Sequence, residues 1–170
     1  MRLKQLLAAL ALLLPLAGLA QARIAVYNSN DIFNSMPEKQ RAEKRLQQSS
    51  QRLEAEYTRM QADLDSLFAD YQQLAADPDT PATIRDRRLR QVQDGDMRLK
   101  QFRDNAAAEI AEQRRLLTEP IVSAIDAAVK EIGDLGNYDL ILDLAKTPVA
   151  FANPATVTDI TKDIKSRLGL

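Results

Sequence analysis

The sequence predicts a mainly α-helical protein in which a long antiparallel helical hairpin, a coiled-coil arm, projects from a small α+β body with short strands. Three observations predict it. Apolar residues recur at heptad spacing between Leu46 and Leu74, a proline-bounded break follows at Pro78 and Pro81, and strand-like segments lie at both ends of the chain.

The N-terminus has the layout of an export signal. Arg2 and Lys4 precede an apolar run from Leu6 to Ala20, interrupted by Pro15, and Ala20-Gln21-Ala22 offers small residues where a signal peptidase reads. As a helix the run reaches only ~22 Å, short of a ~30 Å hydrocarbon core. Residues 1–22 are therefore read as a cleavable signal peptide, with the mature chain starting near Arg23 and the protein exported to the periplasm. The absence of cysteine excludes a lipidated cysteine, a disulfide framework and a thiolate metal site. Charged residues interrupt every later apolar stretch. Without Arg2 and Lys4 the chain has 21 basic and 24 acidic side chains, a net charge of −3. Such a chain has no electrostatic footprint for nucleic acid.

Body segments are expected at 23–37 and 120–170, with the arm at 38–119. Arg23 to Asn28 reads as a strand, with Ile24 and Val26 on one face and Ala25 and Tyr27 on the other. Asn28 to Asp31 is turn and cap chemistry, and Ser35-Met36-Pro37-Glu38 has a capping-box pattern with proline in the first turn. In the first long helix Leu46, Leu53, Tyr57, Met60, Leu64, Leu67, Tyr71 and Leu74 form the seam, with Ser50 at its one polar position. No glycine or proline lies between Glu38 and Ala76, so this helix should reach ~58 Å.

Pro78 and Pro81 mark the arm tip, with Thr80 or Thr83 available to cap the second helix. That helix should run from about Ala82 to Leu135, with a stripe of Val92, Leu99, Ala106, Ile110, Leu117, Ile121, Ile125 and Val129. Gly95 is either a neutral surface residue or a soft point, at a cost of roughly 1 kcal/mol relative to alanine. Pro120 falls where the polar arm gives way to an apolar stretch, and is expected to bend the helix at the joint of arm and body. Arg85, Arg87, Arg88 and Arg90 read first as a solvated face; the sharper reading is contact with anionic lipid or a bound client. Asp86 and Arg90 are spaced as an exposed helix pair. Gly133 and Gly136 are helix stops. Strands are then expected at Tyr138–Leu144 and at Val149–Ala152, and a last amphipathic helix over Thr156–Leu168.

Chemistry for catalysis is scarce. With neither histidine nor cysteine, the usual general base, thiol nucleophile and best transition-metal ligands are missing. The glycines do not cluster into a phosphate-cradling loop. No enzyme activity and no cofactor is expected.

Ile24-Ala-Val-Tyr-Asn followed by a short helix, Glu119-Pro120-Ile121, Tyr138-Asp-Leu-Ile-Leu-Asp, and Asp159-Ile160-Thr161 before a final helix resemble the Skp/OmpH family. The resemblance covers essentially the whole mature chain, and its specificity rests on the two ends. It implies a periplasmic homotrimer whose strands build a central body and whose three arms enclose unfolded outer-membrane β-barrel proteins. On that reading Ile24, Val26, Leu140, Leu142, Val149 and Phe151 belong to the oligomerisation body. One departure is the charge: the best-known member is basic and this chain is slightly acidic. Membrane contact is left open. Side chains off the seam are the candidate client contacts, namely Met97, nearly opposite Leu99, and Phe68 and Phe102 on the seam's flanks, where they could instead widen the arm's own core. A structural or adaptor coiled coil of the envelope explains the export signal and heptads equally well, but not the strands that bracket the hairpin.

Overall fold

A computed structural model describes residues 22–170. The expected signal peptide lies outside the described residues apart from Ala22. The chain order is β1 (Ile24–Tyr27), α1 (Ser29–Ser35), α2 (Pro37–Ala76), α3 (Ala82–Gly136), β2 (Leu140–Asp143), β3 (Val157–Asp159) and α4 (Thr161–Arg167). Both long helices and the break between them fall where the apolar periodicity places them.

The strands form one sheet in the order β2-β1-β3, with both pairs parallel. β1 pairs Ile24 with Leu140 and Val157, and Val26 with Leu142 and Asp159. Its central place explains its composition. Ala25, Val26 and Tyr27 are all buried, as a strand covered on both edges in a parallel sheet should be. Ala25 and Tyr27 face the helices, where Ile32 of α1, Ile121, Ile125 and Ala128 of α3, and Ile160 and Ile164 join them in one core. Ile32, Ile160 and Ile164 are fully enclosed.

The third strand is not where alternation places it. Val149–Ala152 is loop, Phe151 stands 79 % exposed, and the free edge of β1 is taken by Val157–Asp159. The Asn153 carbonyl accepts N–H groups from Thr156 and Val157, turning the chain into that strand. The final helix consequently starts at Thr161 and not Thr156. Ile160, Ile164 and Leu168 keep their common inward side, while Val157 serves in the sheet.

Local signals fared unevenly. Asn28 caps α1 by accepting the Asp31 N–H at 3.2 Å, as its sequence suggests. The Ser35–Glu38 capping box does not form. Ser35 donates its hydroxyl to the Asp31 carbonyl, Met36 is the cap residue without a side-chain bond, and Glu38 binds Arg41. α3 ends at Gly136, yet the left-handed residue beyond it is Asn137, with φ 48°. Gly133 serves close packing instead, because a Cβ there would lie 3.0 Å from Ile141 Cδ1.

Asp143 ties the end of β2 to the start of α1. Its Oδ1 accepts the Ser29 N–H at 3.1 Å and the Ala145 N–H at 3.0 Å, and Lys146 Nζ lies 3.5 Å from Oδ2. Burial pushes this carboxyl up, but the hydrogen bonds from Ser29 and Ala145 and the Lys146 charge outweigh it and hold it below its ordinary value. Asp143→Ala leaves the Ser29 and Ala145 donors without their acceptor and is expected to cost about 1–3 kcal/mol. Because the folded carboxyl titrates below the unfolded range of about 3.9, its contribution is complete above that pH and lost as pH falls through the folded value. Urea unfolding should show wild type losing more stability than Asp143→Asn between about pH 5 and pH 3.

Candidate functional site

The arm is built by α2 and α3 lying side by side and antiparallel. The chain reverses within Asp77–Thr80: Asp77 accepts the Thr80 hydroxyl and the Asp79 N–H, each at 3.0 Å. Thr80 is thereby spent on the turn around Pro78. It does not cap α3, whose cap residue is Pro81 with no side-chain bond, and Thr83 does not cap it either.

Every expected seam residue is half-buried: Leu53, Tyr57, Met60, Leu64, Leu67, Tyr71 and Leu74 on α2, and Val92, Leu99, Ala106 and Ile110 on α3. Cross-arm contacts fix the register. Arg52 reaches Glu109 at 2.9 Å, and Asp70 lies 3.7 Å from Arg88. The basic cluster therefore spends Arg88 on the arm itself. Asp86 and Arg90 do not pair. The helical spacing does hold for Lys39 with Glu43, Lys100 with Asp96, and Arg115 with Glu119. Arg115 also holds Glu112, and this hydrogen bond lowers the Glu112 carboxyl below its ordinary value.

Two seam positions differ from the sequence reading. Ser49, not Ser50, is the half-buried serine, so the α2 seam runs Leu46, Ser49, Leu53, Tyr57 with one extra four-residue step. Gly95 is not a surface residue. A Cβ there would meet Leu64 Cδ1 at 3.0 Å, so the glycine lets the helices approach closely. The signal was present: Gly95 fills the gap in the stripe three residues after Val92 and four before Leu99.

Around Ser49 the seam opens into a cleft of about 470 Å³, lined by Arg45, Gln48, Arg52, Gln113, Leu116 and Leu117. A second cleft of about 480 Å³ shares Arg45 and Leu117 and continues to Met36, Pro120 and Leu168. α3 runs through Pro120 without a break. What changes there is the packing partner. Leu117 is half-buried against the arm, whereas Ile121 is 2 % exposed in the body core.

The candidate client contacts separate. Phe102 is half-buried on the line between Leu99 and Ala106, so it belongs with the seam. Phe68 is 47 % and Met97 60 % exposed. Ile84, Leu89 and Leu116 are exposed on the arm as well, and sequence reasoning missed them because they break no periodic pattern. At the body, Ile24, Val26, Leu140, Leu142 and Val157 share the sheet face turned away from the core. Leu140 is 46 % exposed on it, and the other three apart from Val26 are half-buried. Val149 and Phe151 belong to the loop between β2 and β3 and are not strand residues.

One family model matches this chain of parallel strands and helical-hairpin arm. Its description is "Outer membrane protein (OmpH-like)", and it matches residues 23–168. The chain belongs to the OmpH-like family. Among solved structures it is similar to a candidate outer membrane chaperone (OmpH-like) from Caulobacter crescentus CB15. The identity is 16%, the TM-score 0.70, and the match covers 88% of this chain and 85% of that one. At this identity the likeness is one of fold. No curated protein matches the sequence.

Within this OmpH-like arm, Gly95 gives a direct test of the close approach. Gly95→Ala combines a tight but yielding contact with better helix propensity, and stability should stay within about 1 kcal/mol of wild type. Gly95→Leu cannot fit beside Leu64 and should lose about 1–3 kcal/mol in denaturant unfolding.

Proposed function

We propose that the protein is a non-enzymatic, ATP-independent holdase of the periplasm that keeps unfolded outer-membrane β-barrel proteins from aggregating. The observation that carries this reading is how the arm's apolar surface is divided. The seam is engaged in holding α2 to α3, while Ile84, Phe68, Leu89, Met97 and Leu116 are left exposed on the arm. Exposed apolar contacts of this kind would hold an extended client weakly at many points and impose no single structure on it. Methionine suits such use because its flexible thioether adapts to irregular partners. Membership of the OmpH-like family and the description of the Caulobacter structure as an outer membrane chaperone support a chaperone role.

The proposal includes self-association, as a homotrimer, through the outward sheet face of Ile24, Val26, Leu140, Leu142 and Val157. Three arms on a common body would surround a client, which one arm cannot do. The rival reading, an envelope spacer, needs neither the exposed arm side chains nor the apolar sheet face.

Light scattering of a β-barrel protein diluted from denaturant should be suppressed without nucleotide; unchanged scattering with the protein in excess sinks the proposal. Replacing Phe68 and Met97 together by serine removes about 0.5–1 kcal/mol of partial burial, so roughly two- to fivefold more protein should be needed for the same protection. Separately, Leu140→Lys places a charge on the outward face without touching the core. Sedimentation should then give monomer where the wild-type chain gives trimer.

A further inference from the structure

The residue that leads into β1 carries contacts that the holdase reading does not use. Arg23 N–H donates to Asp139 Oδ2 at 2.7 Å, and the Arg23 carbonyl accepts the Asp139 N–H at 2.9 Å. The Arg23 guanidinium carbon sits 5.0 Å from the centre of the Tyr138 ring. One residue is thus held at its nitrogen, its carbonyl and its side chain by two consecutive residues of another segment. Around them Ala22, Arg23, Ile24, Tyr138, Thr156 and Thr158 line a recess of about 190 Å³. Ala22 itself is exposed and makes none of these bonds.

We propose that Tyr138 and Asp139 form a docking site for a processed N-terminus, so that cleavage after Ala22 strengthens the attachment of β1 to the sheet. This rests on the export reading of residues 1–22 and is independent of client binding. Hydrolysis breaks the Ala22–Arg23 peptide bond. Water's hydroxyl goes to the Ala22 carbonyl carbon and its hydrogen to the Arg23 nitrogen, and the new carboxyl proton passes to the new amine. The products are an Ala22 carboxylate on the released leader and an Arg23 α-ammonium on the mature chain.

Before cleavage, Asp139 faces a neutral amide N–H. After it, the same nitrogen is a cation with three donors beside the same carboxylate oxygen. The bond to the amide is already charge-assisted through the carboxylate, and cleavage adds the donor's own positive charge, turning it into an ion pair. The pair is solvent-exposed, so the gain is modest. Its place makes it consequential. β1 is the central strand, and Arg23 is the residue that enters it. Arg23 over Tyr138 adds a cation–π contact that fixes the residue's direction. Thr156 and Thr158 also line the recess beside Arg23.

The test uses the exported full-length chain. Mass spectrometry of protein purified from the periplasm should show Arg23 at the N-terminus; a different first residue overturns the proposal. Thermal melts should then be compared for the mature chain and for one extended by Gly-Ser before Arg23, each with and without Asp139→Asn. The substitution should lower the midpoint of the mature chain by about 2–4 °C more than that of the extended chain. Equal losses in both backgrounds mean that Asp139 acts only on the amide, and overturn it. Acylation of the Arg23 α-amine should be roughly two- to fivefold slower in the mature wild type than in Asp139→Asn. Equal rates would also overturn it. Client-aggregation assays on the same proteins report on the holdase reading alone, so the two can fail separately.

Discussion

The parallel sense of β1 and β2 is the constraint on which the rest of the molecule depends. A strand entering beside its predecessor in the same direction must begin at the end where the first strand began. Leaving β1 at Tyr27 and returning at Leu140, the chain has to cover the length of the sheet as well as go out and back. The two arm helices achieve this by being unequal. α2 has 40 residues and α3 has 55. The seam pairs Leu64 with Gly95 and Arg52 with Glu109, so α3 passes the start of α2 near Ile121. From there to Gly136 it advances a further ~22 Å, enough to cross strands of four residues and bring the chain to the other end of the sheet.

That overshoot is also where α3 changes character. Ile121, Ile125 and Ala128 are buried because this stretch lies against Ala25 and Tyr27 instead of against α2. Pro120 stands at the change. The helix does not stop there, and it has no reason to: its partner on one side is lost as α2 ends, while the body core replaces it on the next turn. The same residue types thus give a shallow seam on one side of Pro120 and an enclosed core on the other. Only the number of neighbouring elements differs.

Much of this was legible in the sequence because helical periodicity is redundant. Eight or more seam residues per helix repeat one message, and a single departure such as Ser49 for Ser50 shifts the seam by one position without erasing it. The strands carry no such redundancy. Val149-Ala-Phe-Ala alternates as a strand should, and Val157-Thr-Asp continues the spacing of Ile160, Ile164 and Leu168 as a helix should. Which of them pairs is decided by the free edge of β1 and by the need to bury Ile160, and neither is a local property. Gly95 was legible in its position but not in its meaning, since only the facing Leu64 shows why a side chain is missing. Phe68 and Phe102, with similar surroundings in sequence, end differently: Phe102 joins the seam and Phe68 is left exposed. Thr80 was read as a cap because it precedes a helix, and Asp77 claims it first.

Burial divides the chain more sharply than secondary structure does. Between Ala42 and Ile121 the one buried residue is Thr80 at the arm's turn; all other buried side chains lie at or below the arm's base. The cross-arm ion pairs are exposed, where such pairs contribute about 0–1 kcal/mol and weaken with salt. The arm is therefore held by half-buried seam contacts that can be exchanged a turn at a time, and the clefts beside Ser49 and Pro120 leave it least tightly packed where it meets the body. Local opening free energies follow buried contacts, so they must rise from the arm towards the core around Ile32, Ile160 and Ile164. A chain built in this order opens first along the long helices and last around its sheet. On the proposed holdase reading, the exposed apolar side chains of such an arm would meet partners that have no shape of their own.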